Sequence, residues 1–302
     1  MSVASDADAV PMREEAALAV VGRTPVSEVA LHQVVIEPQR GWLPVNWQEL
    51  WHYRELLYFL TWRDIKVRYK QTVLGVVWAL LHPLAAVAVL TVIFGKVAKL
   101  DSEGYPYAVF LYAGLMPWEF FLKSVSRGST SLVGNSNLVT RVYCPRLIIV
   151  MASAGSALVD FAISFAVLGG VMAWYGMWPG LKVLCVVPLA VAVPVAALGI
   201  GALLGALQVV YRDVAYLTGF ALQMWFFATP VLWSLRAVPE RWRLAVALNP
   251  MCGIVEAYRA VLLPDRGLDW AVLGISIASA AALLLIGLYS FRRLERRFAD
   301  VI

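Results

Sequence analysis

The chain is poor in charge. Only 15% of its 302 residues are Asp, Glu, Lys or Arg, against 61% hydrophobic, and mean hydropathy is +0.73. A soluble globular domain carries about a quarter charged residues, so that class is excluded and an integral membrane protein is indicated. The three cysteines, Cys144, Cys185 and Cys252, are far apart and show no CxxC spacing. They leave room for neither a disulfide framework nor a structural zinc site. The three histidines, His32, His52 and His82, form no HExxH pair and no cluster, which points to interfacial or capping roles rather than metal ligation. There is no GxxxxGK[ST] phosphate loop and no GxSxG elbow, so no catalytic residue, metal or cofactor is expected on this chain. The net charge of +5 comes from basic residues at the ends of apolar runs, a membrane flank and not a nucleic-acid footprint.

What the sequence does have is long apolar runs. The stretch from Trp62 to Thr72 carries Arg63, Lys66, Arg68 and Lys70 and leads into an uninterrupted apolar run from Val73 to Phe94. About 20 such residues cross the ~30 Å hydrocarbon core of a bilayer, and the basic cluster marks its near side as cytoplasmic. The preceding segment, 47–70, is predicted to be an amphipathic helix lying on that surface. Residues 1–45 are different in composition, with Asp6, Asp8, Glu14 and Glu15 among small residues. No basic n-region leads into an apolar core, so a partly disordered cytoplasmic extension is expected rather than a secretory signal, with a short extended piece at Leu31–Ile36.

The pattern predicts an all-α membrane domain over 46–302 with six spans, at about 73–94, 107–126, 147–173, 183–210, 215–233 and 270–290. Alternation places both termini in the cytoplasm, and Arg292, Arg293, Arg296 and Arg297 in the tail agree with the positive-inside rule. Trp174, Tyr175 and Trp178 form an aromatic belt at the opposite interface. Between Ser234 and Asp269 lie apolar pieces too short to span, broken by Pro239, Pro250 and Pro264. These predict an outer re-entrant hairpin. Burial against protein would tolerate its Arg236, Arg241, Arg243 and Arg259, which otherwise oppose the charge rule.

Ionisable residues inside spans must face protein or water. Glu119 and Lys123 are spaced for a helical ion pair, and Asp160 sits in the third span either on a polar transport surface or in a hydrogen bond between helices. Gly201 and Gly205 form a GxxxG, read as close packing within one subunit rather than a dimer seam. Arg212 and Asp213, at a tight inner turn, are expected each to bond a different neighbour and brace the ends of spans four and five.

Several pieces fall in one order: Tyr69 to Gly75 with Trp78 and Pro83; Gly114-Leu-Met-Pro-Trp-Glu-Phe-Phe121; Asn135, Asn137, Leu138 and Val139 followed by Tyr143, Pro145 and Arg146; Tyr211-Arg-Asp-Val214; Pro230-Val231; Asn249-Pro250; Arg259. Together they resemble the ABC-2 type permeases of the polysaccharide-export family, from about Trp47 to the C-terminus. Cys144 stands where that family commonly has Phe. The resemblance implies a homodimeric inner-membrane permease for lipid-linked polysaccharide such as O-antigen, capsule or teichoic-acid-type polymer. Two copies of a separate nucleotide-binding subunit would carry the ATP and Mg. It also implies that the interface helix and the helix in the 127–146 loop contact that ATPase, with Arg63, Lys66, Asn135, Asn137, Arg141 and Arg146 as coupling candidates. Sugar rings present apolar C–H faces to aromatic rings, so Trp78, Trp118, Phe120, Phe121, Trp225, Phe226 and Phe227 are candidates to line the export path, beside ordinary packing and belt roles. A secondary transporter would show internal repeats, and a membrane transferase a His or carboxylate constellation; neither is seen. An ABC-2 exporter of a small lipid or drug is the nearest alternative.

Overall fold

A transmembrane backbone must satisfy its own hydrogen bonds, and in the computed structural model every regular element among the described residues, 47–70, 75–141, 144–296 and 298, is helical. The N-terminal extension with its proposed piece at Leu31–Ile36, the motif residues Gln71 to Leu74, Val142 and Tyr143, and Arg297 lie outside the described residues.

The helices are α1 (Trp47–His52), α2 (Arg54–Lys70), α3 (Gly75–Leu90), α4 (Tyr107–Gly134), α5 (Ser136–Arg141), α6 (Leu147–Trp174), α7 (Val186–Val210), α8 (Val214–Ala228), α9 (Glu240–Ala247), α10 (Pro250–Leu262) and α11 (Trp270–Glu295). A wider π-type turn, Thr91–Val97, prolongs α3, and a 3-10 turn, Leu181–Cys185, leads into α7. Four segments are long and apolar enough to cross a bilayer: 80–97, 147–174, 181–210 and 270–295. The other two expected spans depart from that profile for identifiable reasons. α4 has 28 residues but carries Glu119, Lys123 and Arg127, and it runs beyond the expected end at 126. α8 has 15 residues and stops at Ala228 rather than 233, because Pro230 has no N–H to continue the helical ladder.

α4 is the hub. It packs against α6, α7 and α10, and Phe110, Leu111, Tyr112, Met116 and Phe121 are fully enclosed. The GxxxG of α7 sits against it: a Cβ added at Gly205 would lie 3.0 Å from the Gly128 carbonyl oxygen, so the motif serves packing inside the chain. On its other side α7 meets α11 without intervening side chains, for a Cβ at Gly287 would fall 2.0 Å from the Gly199 carbonyl oxygen. By contrast, only 6% of the α3 segment is buried, and Val77, Trp78, Leu81, Val89 and Val92 are exposed.

The expected interface helix is two pieces, α1 and α2, parted by a turn at Tyr53. It is not amphipathic in the simple sense predicted. Leu56, Leu57 and Leu60 pack inward, yet the half-buried Arg63 and Asp64 share the inner side, while Trp51, Tyr58, Phe59 and Trp62 are exposed. Arg63 bonds Asn135 at the end of α4, and Asp64 follows it as its ion-pair partner.

Candidate functional site

Between α2, the C-terminal end of α4 and the first turns of α6 lies a cavity of about 530 Å³. Its polar lining includes Arg63, Asp64, Arg68, Arg127, Thr130 and Asn135. Arg63 donates to the Asp64 carboxylate at 2.8 and 3.1 Å and to the Asn135 Oδ1 at 2.8 Å. Asn135 in turn ends α4, its Nδ2 donating to the Ser131 carbonyl at 2.8 Å. One pair of coupling candidates, 72 residues apart in sequence, is thus joined directly.

Two of the lining arginines, Arg68 and Arg127, meet at Asp160, which gathers three donors. Arg127 reaches it at 2.7 Å, Tyr69 at 2.6 Å, and Arg68 closes the set. Arg127 also donates to the Ser156 Oγ at 3.0 Å. A lone carboxylate at membrane depth is costly, and here α2 and α4 supply its counter-charges, so Asp160 is an inter-helix bond. Burial, reinforced by the hydrogen bond to Asp160, pushes the Tyr69 phenol up to about 12. It therefore stays a protonated donor at any physiological pH.

The remaining coupling candidates separate. Asn137 and Arg141 on α5 are exposed. Lys66 stands 5.5 Å over the Trp62 ring. Arg146 instead braces the tail, donating to the Glu295 carbonyl at 2.8 Å and lying 5.5 Å over the Phe298 ring. Glu119 and Lys123 form the expected ion pair at 3.3 Å.

A second charged cluster lies where α10 meets the segment after α8. When Pro230 ends α8, the following carbonyls lose helical partners. Arg259, fully buried, supplies them: Nη1 donates to Pro230 at 2.7 Å and Trp233 at 3.3 Å, Nη2 to Val231 at 2.6 Å, and Nε to Phe110 at 3.3 Å. Glu256 compensates the charge at 3.0 Å and also binds Arg266 at 2.6 Å, which reaches Glu103 at 2.8 Å. Gly114 belongs to this arrangement, since a Cβ there would lie 2.8 Å from Arg259 Nη2. Burial against protein accounts for Arg259 as expected. It does not account for Arg236, whose side chain is 62% exposed beside Glu103, or for the exposed Arg241. Arg266, Glu103 and Glu256 escaped the sequence reading. The i,i+3 spacing of Glu256 and Arg259 was the available signal, and Glu103 had none.

The seven aromatic candidates fall into two groups. Trp118, Phe120 and Phe121 are buried, at 2% exposure or less, where Trp118 packs on Phe121 and Phe226, and Phe120 on Phe161. Rings enclosed this way are core material of the single chain, which corrects the choice of Trp118 as a path-lining residue. Trp225 is half-buried and donates through Nε1 to Asn249 Oδ1 at 2.9 Å, the same oxygen that caps α10 through the Met251 N–H at 3.0 Å. Phe226 is half-buried as well. Trp78 and Phe227 are exposed.

The bracing expected of Arg212 and Asp213 is not seen among the described residues. Both are exposed, Asp213 makes no side-chain cap bond to α8, and the turn closes through backbone bonds such as Val214 N–H to the Tyr211 carbonyl at 3.2 Å.

A helical chain with four segments long and apolar enough to cross a bilayer, and a buried Arg–Glu network on unwound backbone, belongs to the class of multi-pass membrane proteins. The family model of the ABC-2 type transporter matches residues 55–263, and the chain belongs to that family. It is 30% identical over 258 residues to the O-antigen export system permease protein RfbA of Myxococcus xanthus, covering 84% of this chain and 98% of that protein. It is 26% identical to RfbA of Klebsiella pneumoniae over 249 residues, with 82% and 95% covered. To the polysialic acid transport protein KpsM of Escherichia coli it is 22% identical over 239 residues, with 77% and 91% covered.

Proposed function

We propose that this chain is the permease subunit of an ABC-2 exporter that moves lipid-linked polysaccharide across the cytoplasmic membrane. The observation that carries this is the near-complete coverage of the O-antigen export permeases, at 98% of the Myxococcus protein. ATP is hydrolysed on a separate nucleotide-binding subunit, which holds the ATP and Mg. The working unit is a homodimer with two such subunits in the inner membrane, its lipids covering the exposed apolar faces. The membrane domain, 46–302, has six spans and both termini in the cytoplasm, with α9 and α10 as the outer re-entrant hairpin, and residues 1–45 are a separate cytoplasmic extension.

Three features support this arrangement. The non-helical carbonyls at 230, 231 and 233 are all satisfied by protein, the condition for irregular backbone at membrane depth. On the proposed inner side, α5 presents Asn137 and Arg141 outward, and Asn135, at its junction with α4, is tethered to α2 through the bond to Arg63, so a push on α5 is delivered next to the helix that leads into the first span. The exposed Trp78 and Phe227 are the aromatic candidates left open to a passing glycan.

Deleting the chain from a producing cell should leave polyprenyl-linked glycan in the cytoplasm. Normal surface glycan with altered drug or small-lipid efflux would assign the alternative substrate instead. Arg141→Glu should lower co-purification of the nucleotide-binding subunit at normal membrane insertion; unchanged recovery would remove α5 from the coupling.

A further inference from the structure

Three of the five described residues with positive φ lie in the short loop between α3 and α4: Lys99 at 51°, Glu103 at 56° and Gly104 at 84°. Glycine takes this conformation freely, whereas a glutamate takes it at a cost. Such a cost persists only where surrounding contacts fix the residue. At Glu103 those contacts all come from the segments that flank α9 and α10. Its carboxylate, 5% exposed, accepts from the Ser234 hydroxyl and from Arg266 at 2.8 Å, and pairs with Arg236 at 3.3 Å. Ser234 and Arg236 precede α9 and Arg266 follows α10, so one side chain closes both ends of the hairpin. Two tyrosines run the same way but reach one flank each. The Tyr105 hydroxyl donates to the Pro264 carbonyl at 2.6 Å, and that of Tyr107 to the Leu232 carbonyl at 2.8 Å.

The helix that leads into this loop is the one least covered by the chain. The 80–97 segment is only 6% buried, yet its last turn is seated, for a Cβ at Gly95 would fall 2.9 Å from the Tyr107 ring. α3 is therefore open along its length and tied at the end that joins the hairpin. A buried carboxylate shared by two arginines is a stiff tie, because removing it leaves charge without its partner. We propose that Glu103 is a positioning residue for export, the joint that keeps the end of α3 and the hairpin of α9 and α10 in fixed register. This role rests on the proposed export activity and on the outer placement of the hairpin. Through it, a tilt of α3 is handed to the hairpin, and the two ends of the transport path change together.

The test joins a distance to a transport readout. Val97 is 76% exposed and Leu244 54% exposed, so Val97→Cys and Leu244→Cys take spin labels in a full-length chain carrying Cys144→Ser and Cys185→Ser. Double electron–electron resonance on purified permease, diluted with unlabelled chain, then reads the separation of the α3 end from α9 within one protomer. With Glu103 in place it should show one narrow population. Glu103→Gly keeps the left-handed turn without strain and removes the joint. It should spread the distance into several populations and lower surface glycan per membrane-inserted permease about tenfold, the size of a lost charge-assisted hydrogen bond. Ser234→Ala removes one of the three partners and should shift both readouts in the same direction by less, which keeps the joint testable if Glu103→Gly folds poorly. An unchanged distance distribution in both variants would overturn the proposal. So would a broadened distribution with full surface glycan, or a glycan loss that thermal unfolding explains entirely as loss of folded protein. The distance needs no substrate, so a failure of the export reading, seen as normal surface glycan when the chain is deleted, is distinguished from a failure of the joint.

Discussion

The molecule carries two clusters of Arg with carboxylates, and they are built on opposite plans. Around Arg259 the cluster is closed except for Arg236 at its edge. The side chain of Arg259 is 0% exposed and that of Arg266 3%, with Glu256 at 12% and Glu103 at 5%, and the guanidinium of Arg259 is spent on carbonyls that a broken helix left unpaired. Around Arg63 and Arg68 the side chains are 37% and 43% exposed and border a cavity. Residue types alone do not separate the two, yet one replaces missing backbone bonds and the other ties α2 to α4 and α6. A buried charge whose partners are mainly carbonyls replaces backbone bonds, whereas a half-open one joins helices where water still reaches it.

The sharpest way to break this comparison is Arg259→Met. It strands three carbonyls and the Glu256 charge, and should cost about 3–5 kcal/mol, read as loss of folded protein in a detergent thermal-unfolding assay. Arg259→Lys should recover little, because one ammonium cannot span the same carbonyls. Trp118→Ala should cost nearly as much, about 3–5 kcal/mol, for a core ring. A variant that folds as wild type yet exports slowly would restore Trp118 to the path. Asp160→Asn should be milder, about 1–3 kcal/mol, because water reaches its arginine partners. If it matched Arg259→Met in the same assay, the open and closed clusters would not differ in kind. Smallest of all, Arg212→Ala and Asp213→Ala should each stay within about 0.5 kcal/mol of wild type, and any larger loss would point to a partner outside this chain.

The outline of the fold was legible because bilayer thickness fixes a length that hydropathy records. Four spans could be read from Val73–Phe94, 147–173, 183–210 and 270–290 for that reason, and the GxxxG at Gly201 and Gly205 for a related one. Where the reading slipped, a distant contact decided the matter. The end of α8 needed Pro230 to be weighed against the apolar residues after it, and those residues are irregular only because Arg259 caps their carbonyls. Asp160 could be flagged as requiring a partner, but Arg68, 92 residues away, is named by no local pattern. Aromatic residues in α4 and α8 were read for chemistry when the packing of α4 as the central helix had already claimed Trp118, Phe120 and Phe121. Arg212 and Asp213 were given neighbours that the exposed turn does not show among the described residues.

The backbone contact between Gly199 and Gly287 has a mechanical consequence. With the Gly287 methylene against the Gly199 carbonyl, α7 and α11 mesh like a notch and its key. Slipping either by one residue would drive Ile200, Leu198, Ile286 or Leu288 into peptide backbone, and rolling either about its axis would do the same. The two helices can therefore move only as one lever. A displacement of either is carried by both, and α3, whose apolar segment is only 6% buried, is the long helix least held by the rest of the described chain.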